Sequence, residues 1–396
     1  VVMTLALGYF AYDKFVLSAS REAALVESTT QVVSKQATSE EVSAASDNSI
    51  AVLPFVNMSD DASNEFFSDG ISEEMLNLLA KIPELRVAAR TSSFSLKGKE
   101  LQISEVGEIL KVAHVLEGSV RKAGNQVRIT AQLIHAEDGY HLWSETYDRS
   151  LDNIFAIQDE IAAAVVAELK ITLLGAAPVV HETDPQAYAL YLQGRHLRLQ
   201  RTPTSYEQAQ TTLQQALAID PNYAAAWDEL GAVYTSQLNI GLRPAAEGWA
   251  LAREAINKAM AIDPDYALAY ASLGFIELSY DKDLTAAARY YEHALQLEPA
   301  NPTILRNAAN LLASLGRLDE ALALTEYVVA RDPVNAAGHA NQGLYYTATK
   351  RWDDAIASFR TALTLSPGYA GGQYGIGMVQ PVSYTHLRAH ETVTLI

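Results

Sequence analysis

The side chains that could do chemistry occur at few places along this chain. Two pairs of adjacent carboxylates stand out, Asp60-Asp61 and Glu73-Glu74, but neighbouring residues do not converge on one reacting atom. The run Ser68-Asp69-Gly70 lies at a predicted helix start, where backbone N–H groups could bind an anion. Helix capping explains the same residue types without a ligand. We therefore interpret these groups as a solvated face and a helix cap.

Histidines and cysteines give no stronger sign of a reactive site. The chain has no cysteine, which excludes disulfides, thiolate metal ligands and a cysteine nucleophile. Three histidines lie in or beside predicted strands without the spacing of metal ligands: His114, His135 and His141. No phosphate-binding loop, dinucleotide-binding glycine fingerprint or hydrolase motif occurs. The sequence therefore predicts a protein that is not an enzyme, with no catalytic residue, no cofactor and no metal site.

The composition favours protein partners over nucleic acid. The 396 residues carry 47 acidic and 29 basic side chains, a formal net charge of −18. A nucleic-acid surface needs clustered Lys and Arg that displace counterions, so this segment is not expected to bind nucleic acid. The chain is also too long for one hydrophobic core and should divide into several units.

The first 48 residues predict a membrane anchor and a tether. An apolar run over residues 1–12, rich in aromatic side chains near its end, stops at Asp13-Lys14, as at the interface of a membrane-spanning helix. We interpret residues 1–17 as the end of a transmembrane helix. A signal peptide starting at Met3 and a short buried helix are the alternatives. Residues 18–48 contain no Gly, Pro or aromatic residue and predict a flexible linker.

Residues 381–396 are set apart at the other end. The stretch PVSYTHLRAHET resembles a translated sequencing adapter, so we interpret this tail as an artefact. His386 and His390 lie four residues apart beside Glu391, which could suggest a metal site, but the resemblance argues against it.

A small α/β domain is predicted over residues 49–175. Apolar runs at 50–55 and 85–89 predict short strands, and alternation at 116–120, 127–133 and 140–147 predicts three more. The spacing predicts a helix starting near Asp69 or Gly70, another over 103–112 and a third capped by Asp152. The order β-α-β-α-β-β-β-α predicts a mixed sheet, which we expect to fold independently of the rest.

Several blocks in this domain resemble one known family. They are SIAVLPFVNMSDDASNEFFSDGISEEMLNLLAKI, LRVAARTSSF, VLEGSVRKAGNQVRITAQLI, GYHLWSETYDR and IFAIQDEIA. Together they are similar to the TolB amino-terminal-like domain. The resemblance implies a place between a membrane helix and a tetratricopeptide array, commonly with a winged-helix or nucleotide cyclase domain upstream. It implies no catalytic residue.

Residues 183–380 predict a tetratricopeptide-repeat array. Prolines that close successive units lie 43, 35, 34 and 34 residues apart, and the repeat period is about 34 residues. The longer unit carries nine extra residues around 239–248, at the turn between its two helices. The sequence thus predicts an all-α superhelix of helix pairs, with a concave face lined by the first helix of each pair, the A helix. A sixth unit is interrupted near Gln380. We therefore expect Ala355, Phe359 and Ala362 to lack a covering neighbour, whereas Trp227 stays buried in the array.

Positions on the A helices predict a groove that binds a protein or peptide partner. The residues expected to face the concave side are Tyr191, Arg195, Arg198, Asp228, Phe275, Leu278, Arg306, Asn310 and Leu344. Exposed Phe275 and Leu344 near Arg306 would form a mixed apolar and basic patch suited to a peptide.

Two functions remain open from the sequence. The first is a membrane-anchored scaffold or adaptor that binds partner peptides. The second is the sensory or regulatory half of a nucleotide cyclase or of a winged-helix transcriptional regulator. In either case the resemblance implies that the part after the membrane helix lies outside the cytoplasm.

Overall fold

The computed structural model describes residues 47–82, 84–171 and 182–379. The predicted transmembrane segment 1–17, nearly all of the predicted linker 18–48 and the tail 381–396 lie outside these residues. Within the described ranges, no helix combines the length and the apolar composition needed to cross a bilayer.

A six-stranded mixed sheet forms the centre of the α/β domain. Its strands are β1 (Ser49–Val52), β2 (Val56–Asn57), β3 (Arg86–Val87), β4 (His114–Ala123), β5 (Gln126–His135) and β6 (His141–Ser150). The order is β3-β1-β4-β5-β6, with β2 also beside β4, and β1 runs parallel to both of its neighbours. The run predicted over 50–55 ends as a strand at Val52, because Pro54 has no N–H for the ladder.

Among the described residues, the helices that accompany the sheet are α1 (Glu65–Ala80), α2 (Arg90–Phe94), α3 (Ile103–Leu110) and α4 (Ile154–Glu168). The prediction that the first helix begins at Asp69 or Gly70 was wrong, since α1 begins at Glu65. Gly70 lies inside the helix, where the absence of a side chain makes room for Leu192. A Cβ at Gly70 would stand 2.7 Å from Leu192 Cδ1. Asp152 does not cap α4; it lies in a 3₁₀ turn and accepts a hydrogen bond from Asn125.

Consecutive pairs of helices then follow in the part described from residue 182 onwards. They are α5 (Pro185–Leu199), α6 (Pro203–Ile219), α7 (Ala224–Asn239), α8 (Ala245–Ile262), α9 (Ala267–Ile276), α10 (Leu284–Leu297), α11 (Pro302–Ser314), α12 (Leu318–Arg331), α13 (Ala336–Ala348) and α14 (Trp352–Leu365). A π-helical turn, Glu277–Asp281, extends α9. The odd-numbered members are the A helices. The fold is therefore a small mixed-sheet domain followed by an all-helical superhelix, as the sequence predicts.

The end of the array is covered, contrary to the prediction. A further helix over residues 370–379 packs on α14. Phe359 is fully buried there, with Gly343 on one side and Gly375 on the other; a Cβ at either glycine would stand less than 3 Å from the ring. Ala355 and Ala362 are fully buried as well.

Trp227 is only half-buried, so the prediction of a fully buried ring was wrong. Its Nε1–H donates to the Pro221 carbonyl at 2.9 Å, and Lys258 Nζ lies 4.3 Å from the ring centroid. The ring lines a surface cavity of about 400 Å³ between α6, α7 and α8.

One hydrophobic core continues from the sheet into the first repeats. Tyr188 on α5 is buried against Phe155 on α4, with ring centroids 4.9 Å apart. Gln158 Nε2 donates to the Tyr188 hydroxyl at 2.8 Å. The α/β domain therefore shares its core with the first repeats, and its independent folding stays a prediction.

Candidate functional site: the concave groove

The first A helix turns two of its predicted groove residues, Tyr191 and Arg195, toward the chain's own α/β domain. Arg195 Nη2 lies 2.6 Å from Glu73 Oε1, and Arg195 Nη1 lies 3.0 Å from Glu74 Oε1. Arg195 Nη1 also donates to the hydroxyl of Tyr191, which is 4% exposed. Both glutamates lie on α1. The structure thus assigns Tyr191 and Arg195 to a contact within the chain, where the sequence predicts a contact with a partner.

Burial changes the charge behaviour of this contact. Burial raises the pKa of Glu74, although the charge of Arg195 partly opposes the rise. Burial also opposes ionisation of Glu229 on α7, but the charges of Arg198 and Arg195 outweigh it and lower the pKa of Glu229. Arg198 pairs with Glu229 through two hydrogen bonds. The predicted groove residue Arg198 is therefore also neutralised within the chain.

Asp228, the neighbour of Glu229, has a different environment. Ser272 Oγ donates to Asp228 Oδ1 at 3.0 Å, and no arginine pairs with this carboxylate among the described residues. Burial raises the pKa of Asp228 to about 6. Asp228 links α7 to α9 and is only 9% exposed, which leaves little of it for a partner.

The α/β domain reaches a second point of the array. The hydroxyl of Ser92 on α2 donates to Asp332 Oδ1, in the turn between α12 and α13. Asn335 Nδ2 donates to the other oxygen of Asp332 at 2.6 Å, and Val334 packs against the apolar cluster formed by α3 and β4. The domain therefore bridges from the first repeat to the start of the fifth.

The remaining A helices keep their predicted groove residues accessible. Phe275 on α9 is half-buried with its ring 6.1 Å from that of Trp249, and Leu278 follows one turn later. Arg306 on α11 is exposed and has no ion pair or hydrogen bond within the described ranges. Leu344 on α13 is 41% exposed. We call these residues, with Asn310, the open half of the groove.

Asn310 connects two helices of the open half. Its Oδ1 accepts a hydrogen bond from the Tyr345 hydroxyl at 2.7 Å, which joins α11 to α13. Its Nδ2 has no acceptor among the described residues. The amide therefore keeps two N–H donors beside Arg306.

Sequence reasoning missed the acidic residues that fill the first half of the groove. The sequence analysis interprets Glu73 and Glu74 as a solvated face, because the cation that both share, Arg195, is more than a hundred positions away. Asp332 and its donor Ser92 are also far apart in the sequence, by 240 positions, so their contact could not be predicted either. Within the described part of the chain, no group of three or more His, Asp or Glu side chains is arranged to hold a metal ion.

Family comparisons identify the class of the helical half. Residues 275–327 and 306–370 match the tetratricopeptide repeat, which confirms the predicted repeats. Residues 46–164 match the second domain of HilA/YgeH-like transcriptional regulators. The similarity of this domain to the TolB amino-terminal-like domain stays a prediction.

A curated protein of Rhizobium meliloti (strain 1021) is similar to this chain over part of its length. It carries the name "Putative adenylate cyclase 3" and is 44% identical over 189 residues, which is 47% of this chain and 32% of that protein. The chain thus spans about a third of the length of the curated relative it matches.

Several solved structures have a related helical architecture. YrrB, described as a TPR protein with an unusual peptide-binding site, is 21% identical with a TM-score of 0.32, covering 49% of this chain and 91% of YrrB. TTC0263, a thermophilic TPR protein from Thermus thermophilus, is 20% identical with a TM-score of 0.41, covering 49% and 98%. Human IFIT1 with PPP-AAAA is 16% identical with a TM-score of 0.41, covering 60% and 54%. At this level the similarity carries no functional argument.

Proposed function

We propose that this chain is a protein-interaction scaffold whose open half of the groove binds an extended peptide segment of a partner. The observation that carries this proposal is the combination of exposed Leu344 with unpaired Arg306 on neighbouring A helices. Apolar side chains beside an arginine are typical of the anchoring points of protein interfaces. The tetratricopeptide repeats supply the scaffold on which this surface is built.

The same proposal states that this chain has no enzymatic activity. It holds that the chain needs no cofactor and catalyses no reaction. The purified chain, supplied with ATP and Mg²⁺, is expected to form no cyclic AMP above the level of a buffer control. Formation of cyclic AMP would contradict this part of the proposal.

Selection from a random peptide-display library tests the scaffold. Peptides selected on the purified chain are expected to lose most of their affinity for the Leu344→Ser variant. The matched control is Leu365→Ser, because Leu365 is 37% exposed, about as much as Leu344, and lies at the end of α14, which is not an A helix. Selected peptides that bind both variants as well as the wild type would refute binding in the groove.

A second function is favoured by two comparisons. The family model over residues 46–164 is named for transcriptional regulators, and one relative of the chain is named a putative adenylate cyclase. In this alternative the groove is the sensory part of a longer regulator. The test is to add a selected peptide to a full-length protein that contains this chain and to measure cyclase activity and DNA binding. A change in either output favours regulation, and no change favours the scaffold.

The membrane anchor and the location outside the cytoplasm stay proposals from sequence. They rest on residues 1–17, which lie outside the described ranges. A reporter fused after Gln380 of a full-length protein distinguishes the two sides of the membrane, and activity only in the cytoplasm would contradict the expected location.

A further inference from the structure

The order of chemical groups along the open half of the groove changes from helix to helix. On α9 the predicted groove positions carry Phe275 and Leu278, both apolar. On α11 the exposed charge is Arg306, and on α13 the exposed group is Leu344. A partner that crosses the three helices in turn therefore meets an apolar, a basic and a second apolar surface.

The charge of Arg306 is available to a partner because the chain itself does not neutralise it. Arg195 and Arg198, the other arginines at predicted groove positions, both form ion pairs. Burial lowers the pKa of Arg306, and the charge of Asp332 opposes this only in part. The Asp332 carboxylate already accepts hydrogen bonds from Ser92 and Asn335. An acidic side chain is therefore the complement that Arg306 lacks.

The spacing of the helices sets the spacing of residues in the partner. Packed helices lie about 8–10 Å apart. An extended peptide advances about 3.3 Å per residue. A peptide that crosses from one A helix to the next therefore uses about three residues.

We propose that the open half of the groove recognises an extended segment with one acidic residue, flanked by a large apolar residue three positions before it and another three positions after it. This inference rests on the proposed function. The acidic residue pairs with Arg306, and the apolar residues contact Phe275 and Leu278 on one side and Leu344 on the other. The pattern reads the same in both directions, so it does not depend on the orientation of the peptide. The free N–H groups of Asn310 donate to a peptide carbonyl beside the acidic residue.

Fluorescence anisotropy with short labelled peptides tests the pattern. The probe is Leu-Ser-Ser-Glu-Ser-Ser-Leu between Gly-Ser flanks, added to the full chain. Replacing its Glu by Gln, or moving the Glu next to one Leu, is expected to weaken binding about tenfold, which corresponds to about 1.4 kcal/mol. Arg306→Gln is expected to remove the preference for Glu over Gln. Arg360→Gln is the matched control, because Arg360 is exposed on α14 and should leave the preference unchanged.

A charge-reversal experiment distinguishes a lost ion pair from a variant that binds poorly because it is misfolded. Arg306→Glu should bind the peptide that carries Lys in place of Glu better than it binds the original peptide. Binding that ignores the charge or the spacing, while display-selected peptides still depend on Leu344, would overturn the pattern and leave the scaffold standing. If the designed peptide and every selected peptide bind independently of Leu344, both the pattern and the proposed function fail.

Discussion

Replacing Phe359 by Ala should destabilise the array more than replacing Trp227 by Ala, the reverse of the order that the sequence predicts. Phe359 is fully buried, and the glycines on both sides of its ring, Gly343 and Gly375, have no side chains that could fill the space. Its removal should therefore cost about 3–5 kcal/mol, the range for a phenylalanine that leaves a cavity. Because Phe359 packs between α13 and the helix over residues 370–379, the lost stability should affect the fifth repeat and that last helix most.

Trp227→Ala should cost about 2 kcal/mol, since half of its ring already contacts water. The loss comprises the hydrogen bond to Pro221, the contact with the Lys258 ammonium and part of the apolar burial. Urea unfolding followed by circular dichroism measures both variants, and hydrogen exchange reports on α14 separately from α7. A larger loss for Trp227→Ala, or unprotected amides in helix 370–379 of the wild type, would refute the reasoning.

Three further predictions concern buried contacts within the chain. Arg195→Ala should lower the free energy of unfolding by about 2–4 kcal/mol in urea titrations, because Glu74 would stay buried without a cation and Glu73 would lose one of its two; an unchanged midpoint would contradict this. Asp228→Asn should stabilise the chain by about 1–3 kcal/mol at pH 7 and much less at pH 4. Burial raises the pKa of Asp228 to about 6, so the free energy of unfolding of the wild type falls as pH rises from about 4 to 6 and the carboxyl ionises. A difference between variant and wild type that does not vary with pH would argue against it. A segment of residues 47–171 should melt at a lower temperature than the whole chain, because α5 no longer covers its core. Equal melting temperatures in calorimetry would contradict this.

The repeats could be predicted from sequence because their signal is local and periodic. A small residue at the eighth position of α7, α9, α11 and α13 and a proline after each second helix recur with a period of about 34 residues, apart from one longer unit. That period alone orients the A helices, so it also assigns which side chains face the concave side. Strands β4 and β5 could be predicted for the same reason, because alternation repeats every two residues.

Glycines were harder to interpret, because a missing side chain has opposite meanings in different surroundings. Gly70 in a helical run suggests a helix start, but the structure uses it to admit Leu192 from another part of the chain. The sequence places the interruption of the sixth unit near Gln380. In the structure Gly375 lies directly against the ring of Phe359, so the glycine there is part of the packing of a further helix.

The state of each groove arginine depends on contacts that no local pattern carries. Arg195 and Arg306 occupy groove positions of equivalent A helices, and the repeat period predicts the same role for both. Only folding brings Glu73 and Glu74 to Arg195, across more than a hundred residues. Because a paired arginine has already lost its free charge, it contributes little to the binding of a partner. An unpaired and exposed arginine such as Arg306 keeps that charge, so the distribution of ion pairs, more than the repeat period, indicates which part of the concave face remains for a partner.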